Sequence, residues 1–497
     1  MGGDERDAVV VGAGPNGLAA AVVLAAAGLS VRVYEASGEI GGGCRTEELS
    51  LPGFRHDVCA AAHPLASVSP FFARFDLEAR GVRFVQPEVP FAHPLEGGRA
   101  VAALRSVEET VAGFGRDDAR AYRALVGPFA ESPRALGSVA LSSHRGLPGG
   151  AARGARVVVA APRSVTSLVG RFRDGAPRAL LAGAGAHAMR PLDRALTGGV
   201  SLLLTGLAHG VGWPVVEGGS DRIVAAMAAF LAERGVEVVT GAPVRSLREL
   251  PKCRAVLLDV SPRGLLALAG ESLPRRYAAQ LRRYRYGAGV CKVDWALDGP
   301  VPWSAEVCRR AGTLHVGGSL EEIAVAEDEV ARGRHPERPY VLAVQAGVVD
   351  ATRAPPGRQA LWTYCHVPAG SDRDMGEAVA EQIERFAPGF RERVLARSVR
   401  TARAVEQGDV NYVGGDIGCG LQDLRQTLAR PALRWNPYRV PVPGLYLCSS
   451  ATPPGPGVHG RCGELAATCA LRDLFGIRSV GLGPSPGADP VPSRSSR

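Results

Sequence analysis

The sequence predicts an α/β protein, with a discontinuous Rossmann-type dinucleotide-binding domain joined to an α+β domain that has a mixed or antiparallel sheet. Three observations predict it. A strand, a glycine-rich turn, a helix and a second strand follow one another between Asp7 and Tyr34. A further strand–turn–helix segment, Pro443 to Arg472, stands near the other end. Between them, Gly289–Leu297, Tyr340–Ala346 and Gln359–Val367 alternate with period two, as strands with two different faces do.

Ala8 to Val11 is a short apolar run that suits a buried parallel strand. Gly12, Gly14 and Gly17 follow in GxGxxG spacing. The first permits a tight turn, the second lets backbone approach a pyrophosphate, and the third lets helix pack on strand. Pro15 and Asn16 begin the helix, whose unpaired N–H groups face the phosphates, and Gly28 ends it. Ser30 to Tyr34 is the second strand. Glu35, followed by Ala36, stands where a carboxylate accepts hydrogen bonds from an adenosine ribose. Gly41, Gly42, Gly43, Arg45 and Thr46 extend the motif.

Length and composition bound the rest. A chain of 497 residues suits two domains, and 46% hydrophobic with 22% charged residues is ordinary for a globular protein. The net charge of +9 is scattered, without a basic run interleaved with aromatics, so nucleic acid is not an expected partner. Almost all the positive charge is Arg; Lys252 and Lys292 are the only lysines. None of the ten cysteines forms a CxxC pair, and no Cys/His cluster has metal-ligand spacing, so no metal is expected. Free thiols and the absence of a signal-peptide pattern favour the cytoplasm. Ala195 to Val216 lacks Asp, Glu, Lys and Arg, but its glycines, His209 and Pro214 favour a buried helix leading into a strand over a membrane span. Peripheral membrane contact stays open, and the oligomeric state is not legible.

In chain order, Leu51 to Leu65 is loop-like and carries His56, Asp57 and His63. Leu77 to Gly199 shows helical patterns, with a strand near Val82–Val85. Gly183 and Gly185 imitate a second dinucleotide turn, but no strand precedes them and no acid follows at the right distance, so a closely packed helix is expected. Pro214 to Val260 returns to α/β character, with a helix from Asp221 to Arg234 and strands near Val236–Thr240 and Ala255–Asp259. Glu377 to Phe386 is helical. Residues 1–75, 205–265 and 436–478 are therefore assigned to the nucleotide domain and 76–204 and 266–435 to the substrate domain. Residues 479–497, rich in Pro, Ser and Gly, are expected to be a disordered tail. In the last segment, Gly444–Cys448 is a strand and a helix is expected to begin close to Gly457. The N–H groups of Val458 and His459 would then carry partial positive charge toward an electron-accepting ring.

GAGPNGLAAA, IGGGCRT, GFRHDVC, NYVGGDIGCG and GLYLCSSATPPGPGVHG together resemble the phytoene-desaturase-like FAD oxidoreductases, a fold they share with flavin amine oxidases. The resemblance implies non-covalent FAD, held by both glycine-rich ends. It implies hydride transfer from an apolar organic substrate to flavin N5, with oxygen or a quinone as acceptor. Amine oxidation, or a flavoprotein of regulatory role with little turnover, stay open beside desaturation. Where relatives commonly show Gly-Asp, this chain has Ser449-Ser450, so the usual cofactor contact there falls to the serine hydroxyls, Ser449 first, or to backbone. Alternation puts Trp362, Tyr364 and His366 on one strand face, either over a flavin or in an ordinary sheet face. Lys292 shares a face with Val290 and Asp294; a solvated Lys–Asp pair and a lysine near N5 are both readings of it. His459, Lys292, Tyr364 and His366 are the catalytic candidates.

Overall fold

The computed structural model describes residues 5–143 and 162–483. Two sheets organise them. The first is parallel, in the order β16-β10-β1-β2-β9, from β1 (Arg6–Val11), β2 (Val31–Tyr34), β9 (Glu237–Val239), β10 (Cys253–Leu258) and β16 (Leu445–Leu447). β1 is central, and its Val-rich run is buried on both faces, as a parallel strand requires. The chain leaves β1 toward β2 on one side and meets β10 on the other. That order reversal opens a crevice beyond the strand ends, at Gly12 and Asp259. The helices Pro15–Ala26, Asp221–Ala232 and Arg461–Ala470 share one core with this sheet. Two glycines make that packing possible. A Cβ on Gly17 would lie 2.0 Å from the Gly12 carbonyl oxygen, and one on Gly463 would lie 1.8 Å from that of Asn16.

The second sheet is mixed, in the order β15-β11-β14-β13-β12-β6-β7. Its strands are β6 (Val89–Leu95), β7 (Arg99–Ala103), β11 (Gly289–Leu297), β12 (Ala311–Val316), β13 (Val341–Val344), β14 (Gln359–Val367) and β15 (Val394–Arg400). Only β6–β12 is a parallel pair. Two short ribbons complete the strands: β3 (Thr46–Glu47) with β4 (His56–Asp57), and β5 (Phe84–Val85) with β8 (Val215–Val216). Every residue of β11 and β14 is buried, so neither face of these strands is solvated. One face joins the helix Gly376–Glu384 in an apolar core. The other carries Val290, Trp362 and Tyr364 into the core that also holds the helices Gly175–Ala186 and Thr197–Gly210.

Several expectations change here. Gly183 sits inside the helix Gly175–Ala186, where a Cβ would come within 2.7 Å of His315, so its role is close helix–sheet contact. The helix Thr197–Gly210 packs as one piece on the second sheet, so a division at residue 205 would cut it. Among the described residues no helix is long and apolar enough to cross a membrane. Leu482 is buried in the core of the first sheet, and its carbonyl accepts from Arg80 Nη2 at 3.3 Å. The first residues of the expected tail are therefore docked, while 484–497 lie outside the described residues. The last helix begins at Arg461 rather than Gly457, because Gly460 adopts φ 67° and turns the chain just before it.

Candidate functional site

A cavity of about 390 Å³ lies between the two sheets. Pro15, Asn16 and Gly43 from the first glycine-rich end meet Gly457 and Val458 from the second on its wall. Its floor is the second sheet. Cross-strand register sets Lys292, Tyr364, Leu342 and His315 in one row, and Asp294, Trp362, Val344 and Thr313 in the next. Tyr364, Leu342, Trp362, Val344 and Thr313 line the cavity. A second cavity of about 20 Å³ adjoins it, sharing Cys59, Trp362, Tyr364, Tyr412 and Ile417 and adding Lys292, Arg45, Arg400 and Asp409.

The glycine turn is shaped as a phosphate cradle. Gly12 has φ 101° and Gly42, with φ 53°, brings a prospective Cβ to 3.3 Å from Gly14 Cα. Gly43 leaves room for the Tyr412 hydroxyl, since a Cβ there would stand 2.2 Å from its oxygen. The N–H of Ala13 donates to Glu35 Oε2 at 2.6 Å, and that of Ser37 to Oε1 at 2.8 Å. Glu35 thus braces the turn, and each carboxylate oxygen keeps a further lone pair for a ribose hydroxyl. Gly17 N–H donates to Asp259 Oδ2 at 2.8 Å, so a carboxylate caps the helix end that faces a phosphate in this fold. Burial raises Asp259 to about 7, the Gly17 N–H opposes, and Asp409 and Glu35 add to the rise. Asp409 is raised to about 6, again chiefly by burial. Both acids are therefore held toward their neutral forms, which suits an anionic neighbour.

Other expected cofactor residues are placed as follows. Arg45 lies on the small cavity, with its guanidinium 3.5 Å from Glu47. Ala36 follows Glu35 beyond the end of β2. Thr46 donates its hydroxyl to Asp57 Oδ1 at 2.8 Å, which makes it a clamp on the β3–β4 ribbon. Arg353 completes that clamp, donating to Asp57 Oδ2 (2.9 Å), Asp350 Oδ2 (2.7 Å) and the Val216 carbonyl (2.9 Å). Burial would raise Asp57, but Arg353, the Ser220 N–H and the Thr46 hydroxyl hold it below the usual carboxylate range. Ser449 donates to the Val260 carbonyl at 2.7 Å and is occupied by backbone. Its neighbour Ser450 is the one on the cavity wall, accepting from Asn16 Nδ2 at 3.2 Å.

The four catalytic candidates separate. Lys292 is 3% exposed, ion-paired to Asp294 beneath it, with its ammonium 5.4 Å from the Trp362 ring centre. The solvated reading of this pair is thereby corrected. Burial lowers Lys292 to about 8 against the opposing pull of Asp294. Tyr364 lines both cavities and meets Trp362 edge-to-face at 5.2 Å. His366 is on the same face of β14 but does not line either cavity; its Nδ1 is 2.7 Å from Glu327 Oε1. His459 is fully buried and also absent from both linings. Its Nε2 meets the Gly455 carbonyl at 3.1 Å and its Nδ1 accepts from Arg461 N–H at 3.0 Å, so both ring nitrogens hold the loop in shape. Because the helix starts at Arg461, Val458 and His459 belong to that loop and not to a helix N-terminus. His63 lines the large cavity and bonds Ser220 Oγ at 2.8 Å, whereas His56 is tied to Ser50 at 2.7 Å.

Sequence reasoning missed Asp259, Tyr412, His187, Trp213 and Thr313. Asp259 had a signal: it ends an apolar strand as Glu35 ends another. The last three are brought to one cavity from a helix end, a loop and β12, and no local pattern announces that. Among the described residues no group of three or more His, Cys, Asp or Glu is placed to hold a metal ion.

Comparison with known proteins agrees with this architecture. A family model described as an NAD(P)-binding Rossmann-like domain matches residues 10–75, the glycine-turn unit and the ribbon after it. The chain is 28% identical over 554 aligned residues to pyridine nucleotide-disulfide oxidoreductase domain-containing protein 2 of Mus musculus, covering 95% of this chain and 94% of that protein. It is 36% identical over 122 residues to a limonene dehydrogenase polypeptide of Castellaniella defragrans, covering 24% of this chain and 22% of that protein. Among solved structures, wild-type putrescine oxidase bound to putrescine matches with TM-score 0.62 at 18% identity, over 95% of this chain and 99% of that one. All ten cysteines are free thiols in this structure, so the "disulfide" in the relatives' name describes nothing seen here. The chain is thus a relative, along nearly its whole length, of the pyridine nucleotide-disulfide oxidoreductase domain-containing protein 2 proteins, on the fold of the FAD-dependent oxidoreductases of amine-oxidase type.

Proposed function

We propose that the protein is an FAD-dependent oxidoreductase that takes a hydride from a small to medium, apolar organic molecule. One observation carries this: a single cavity touches both glycine-rich ends of the chain and continues over an uncharged, largely apolar sheet floor. The glycine turn with Glu35 and the Asp259-capped helix fits an ADP half. Gly43, Ser450, Gly457 and Val458 fit a planar ring, since backbone and small side chains form that part of the wall. When bound, FAD supplies a hydride acceptor.

The chain's own residues do the rest. Trp362 and Tyr364 present an aromatic surface to an apolar substrate and exclude water from it. Lys292, with the Tyr364 and Tyr412 side chains, borders the small cavity, whose 20 Å³ accommodates one water with polar partners. Lys292 there orients that water and, in its neutral form, takes a proton at Nζ; Asp294 holds the amine in place. His366 flanks Tyr364 on the same strand face, with ring centres 5.5 Å apart. His459 shapes the ring-side loop.

Amine oxidation is a second reading, favoured by the fold and by the Trp362–Tyr364 pair beside Lys292. The test is anaerobic bleaching of the bound flavin by a panel of terpenoids, polyketides, fatty acyl compounds and amines. Bleaching by a neutral compound supports the proposal. Bleaching by amines alone moves the assignment to the second reading. Colourless protein that resists reconstitution with FAD but binds NAD tightly overturns both.

A further inference from the structure

Residues 424–435 invert the usual arrangement of a protein surface. The short helix Leu424–Ala429 buries Gln426 and its capping residue Asp423, while it exposes Leu424 and Leu428. Beyond it Arg430 is buried, whereas Leu433 and Trp435 are 76% and 84% exposed. Among the described residues eight large apolar side chains are exposed; four stand in this segment, the three most exposed of all among them. Single exposed apolar side chains are ordinary, but a run of them marks an interaction surface.

Hydrogen bonds fix the inversion. The N–H of Arg285 donates to Gln426 Oε1 at 2.7 Å, and Gln426 Nε2 donates to the Arg285 carbonyl at 2.9 Å. Arg430 Nη2 donates to the Tyr284 hydroxyl at 3.1 Å, and the N–H of Leu433 to Gln280 Oε1 at 2.9 Å. These bonds tie the segment along residues 280–285 and leave its apolar side chains outermost. Leu424 and Leu428, four apart, share a helix face. Arg434, between Leu433 and Trp435, turns instead to the Tyr277 ring, 5.5 Å from its centre.

The surroundings are basic. No Asp or Glu occurs from 424 to 463 or from 272 to 293. Arg282, Arg283 and Arg425 are exposed, and Asp423 is ion-paired to Arg285. Cations beside exposed Leu and Trp complement an anionic lipid surface, with phosphates at the arginines and the acyl boundary beneath them. Side chains this exposed stand off the surface instead of packing into a flat patch, which suits a fluid layer better than a second folded protein. No described helix is long and apolar enough to cross a membrane, so the contact is with its surface. The segment also adjoins the large cavity. Gln422, two residues before Leu424, lines it, and a Cβ on Gly455, between the lining residues Pro454 and Pro456, would meet Arg430 Nη1 at 2.5 Å.

We infer that residues 424–435 dock the protein on an anionic lipid bilayer, with Leu428, Leu433 and Trp435 in the apolar boundary layer and Arg282, Arg283 and Arg425 at the phosphates. Docking goes beyond the proposed oxidation and needs neither flavin nor turnover.

The experiment uses the whole 497-residue chain and vesicles of phosphatidylcholine, alone or with phosphatidylglycerol. Sedimentation with the vesicles measures binding. Fluorescence reports the face that binds, because Trp435 is exposed while Trp213, Trp295, Trp303 and Trp362 are buried. Lipids brominated near the headgroup should therefore quench Trp435. Binding to the anionic vesicles should be at least about tenfold tighter than to phosphatidylcholine alone, and weaker at high salt. Leu428→Ser with Leu433→Ser should lower it at least about tenfold without changing the melting temperature, since both side chains are exposed. Arg282→Gln, Arg283→Gln and Arg425→Gln together should bring the two lipid compositions level. Trp435→Phe should keep binding and lose the quenching. Absence of binding to anionic vesicles overturns the inference, as does binding that survives the leucine substitutions or leaves Trp435 unquenched. A dimer in solution that the leucine substitutions dissolve also overturns it, making this face an interface between copies. None of these outcomes depends on flavin, so failure here is distinguishable from failure of the proposed function.

Discussion

Asp259 offers the sharpest quantitative test of the cofactor assignment. Its carboxylate accepts the Gly17 N–H at 2.8 Å, at the helix end that faces the pyrophosphate in this fold. Burial raises it to about 7, with Asp409 and Glu35 nearby adding to the rise. An anionic ligand raises it further, so FAD binding favours the protonated acid and takes up a proton where Asp259 is ionised beforehand. The apparent dissociation constant should then rise by a factor of one plus ten to the power of pH minus pKa: about elevenfold at about pH 8 and about a hundredfold at about pH 9. Asp259→Asn keeps an oxygen for the Gly17 N–H and cannot ionise, so its binding curve should be nearly flat over that range. The same linkage acts on folding. The folded-state value is raised above the unfolded one, so this stabilisation is fully present below about pH 4 and is lost as pH rises through about 7. A shift from 3.8 to about 7 corresponds to on the order of 4 kcal/mol. Titrating FAD into apoprotein by flavin fluorescence at several pH values measures the first effect, and urea unfolding measures the second. If the unaltered protein and Asp259→Asn show the same pH slope in FAD binding, the placement of the pyrophosphate beside Asp259 is wrong.

Three other outcomes are expected. Lys292→Met should keep its flavin but lower the anaerobic rate of flavin reduction by about two to four orders of magnitude, the usual scale for a lost proton acceptor. In the unaltered protein that rate should climb with pH and level off above about 8, where Lys292 becomes neutral; rapid-mixing absorbance follows both. Gly457→Ala is strained at φ 121° and sets a Cβ 2.7 Å from Leu65, so flavin content or the flavin spectrum should change while ADP still binds; an unaltered flavin spectrum in that variant argues against a ring contact. Gly463→Ala forces the helix Arg461–Ala470 away from Asn16 and should cost about 1–3 kcal/mol, seen as a lower melting temperature without FAD present.

The two ends of the chain and the long strands were legible because their signals are local. Gly289–Leu297 and Gln359–Val367 match β11 and β14 residue for residue, each an unbroken nine-residue run. The glycine turn was legible because its spacing, the following strand and Glu35 all serve one ligand shape. What failed were properties set by distant chain. Lys292 and Asp294 read as a solvated pair because alternation gives a face but not what covers it; here helices and the β3–β4 ribbon cover it. Ser449 and Ser450 are neighbours, and only the position of Val260 decides which one turns to the backbone. His459 looked reactive beside the ring-side loop, yet its ring nitrogens are taken by Gly455 and Arg461, partners set by the fold of the loop itself. The row from Lys292 to His315 depends on the order β11-β14-β13-β12, which no single strand encodes.

In the proposed function one cavity, closed by both glycine-rich ends, holds the flavin ring and the substrate together. A crystal structure of the FAD-loaded protein tests it most directly. The adenosine diphosphate half should lie along Gly12–Gly17 and Glu35, and the ring should be bounded by Gly43 and Gly457, facing Tyr364 with Lys292 behind the small cavity. A flavin ring outside this cavity, or one with no contact to the loop at Gly457 and Val458, would contradict it.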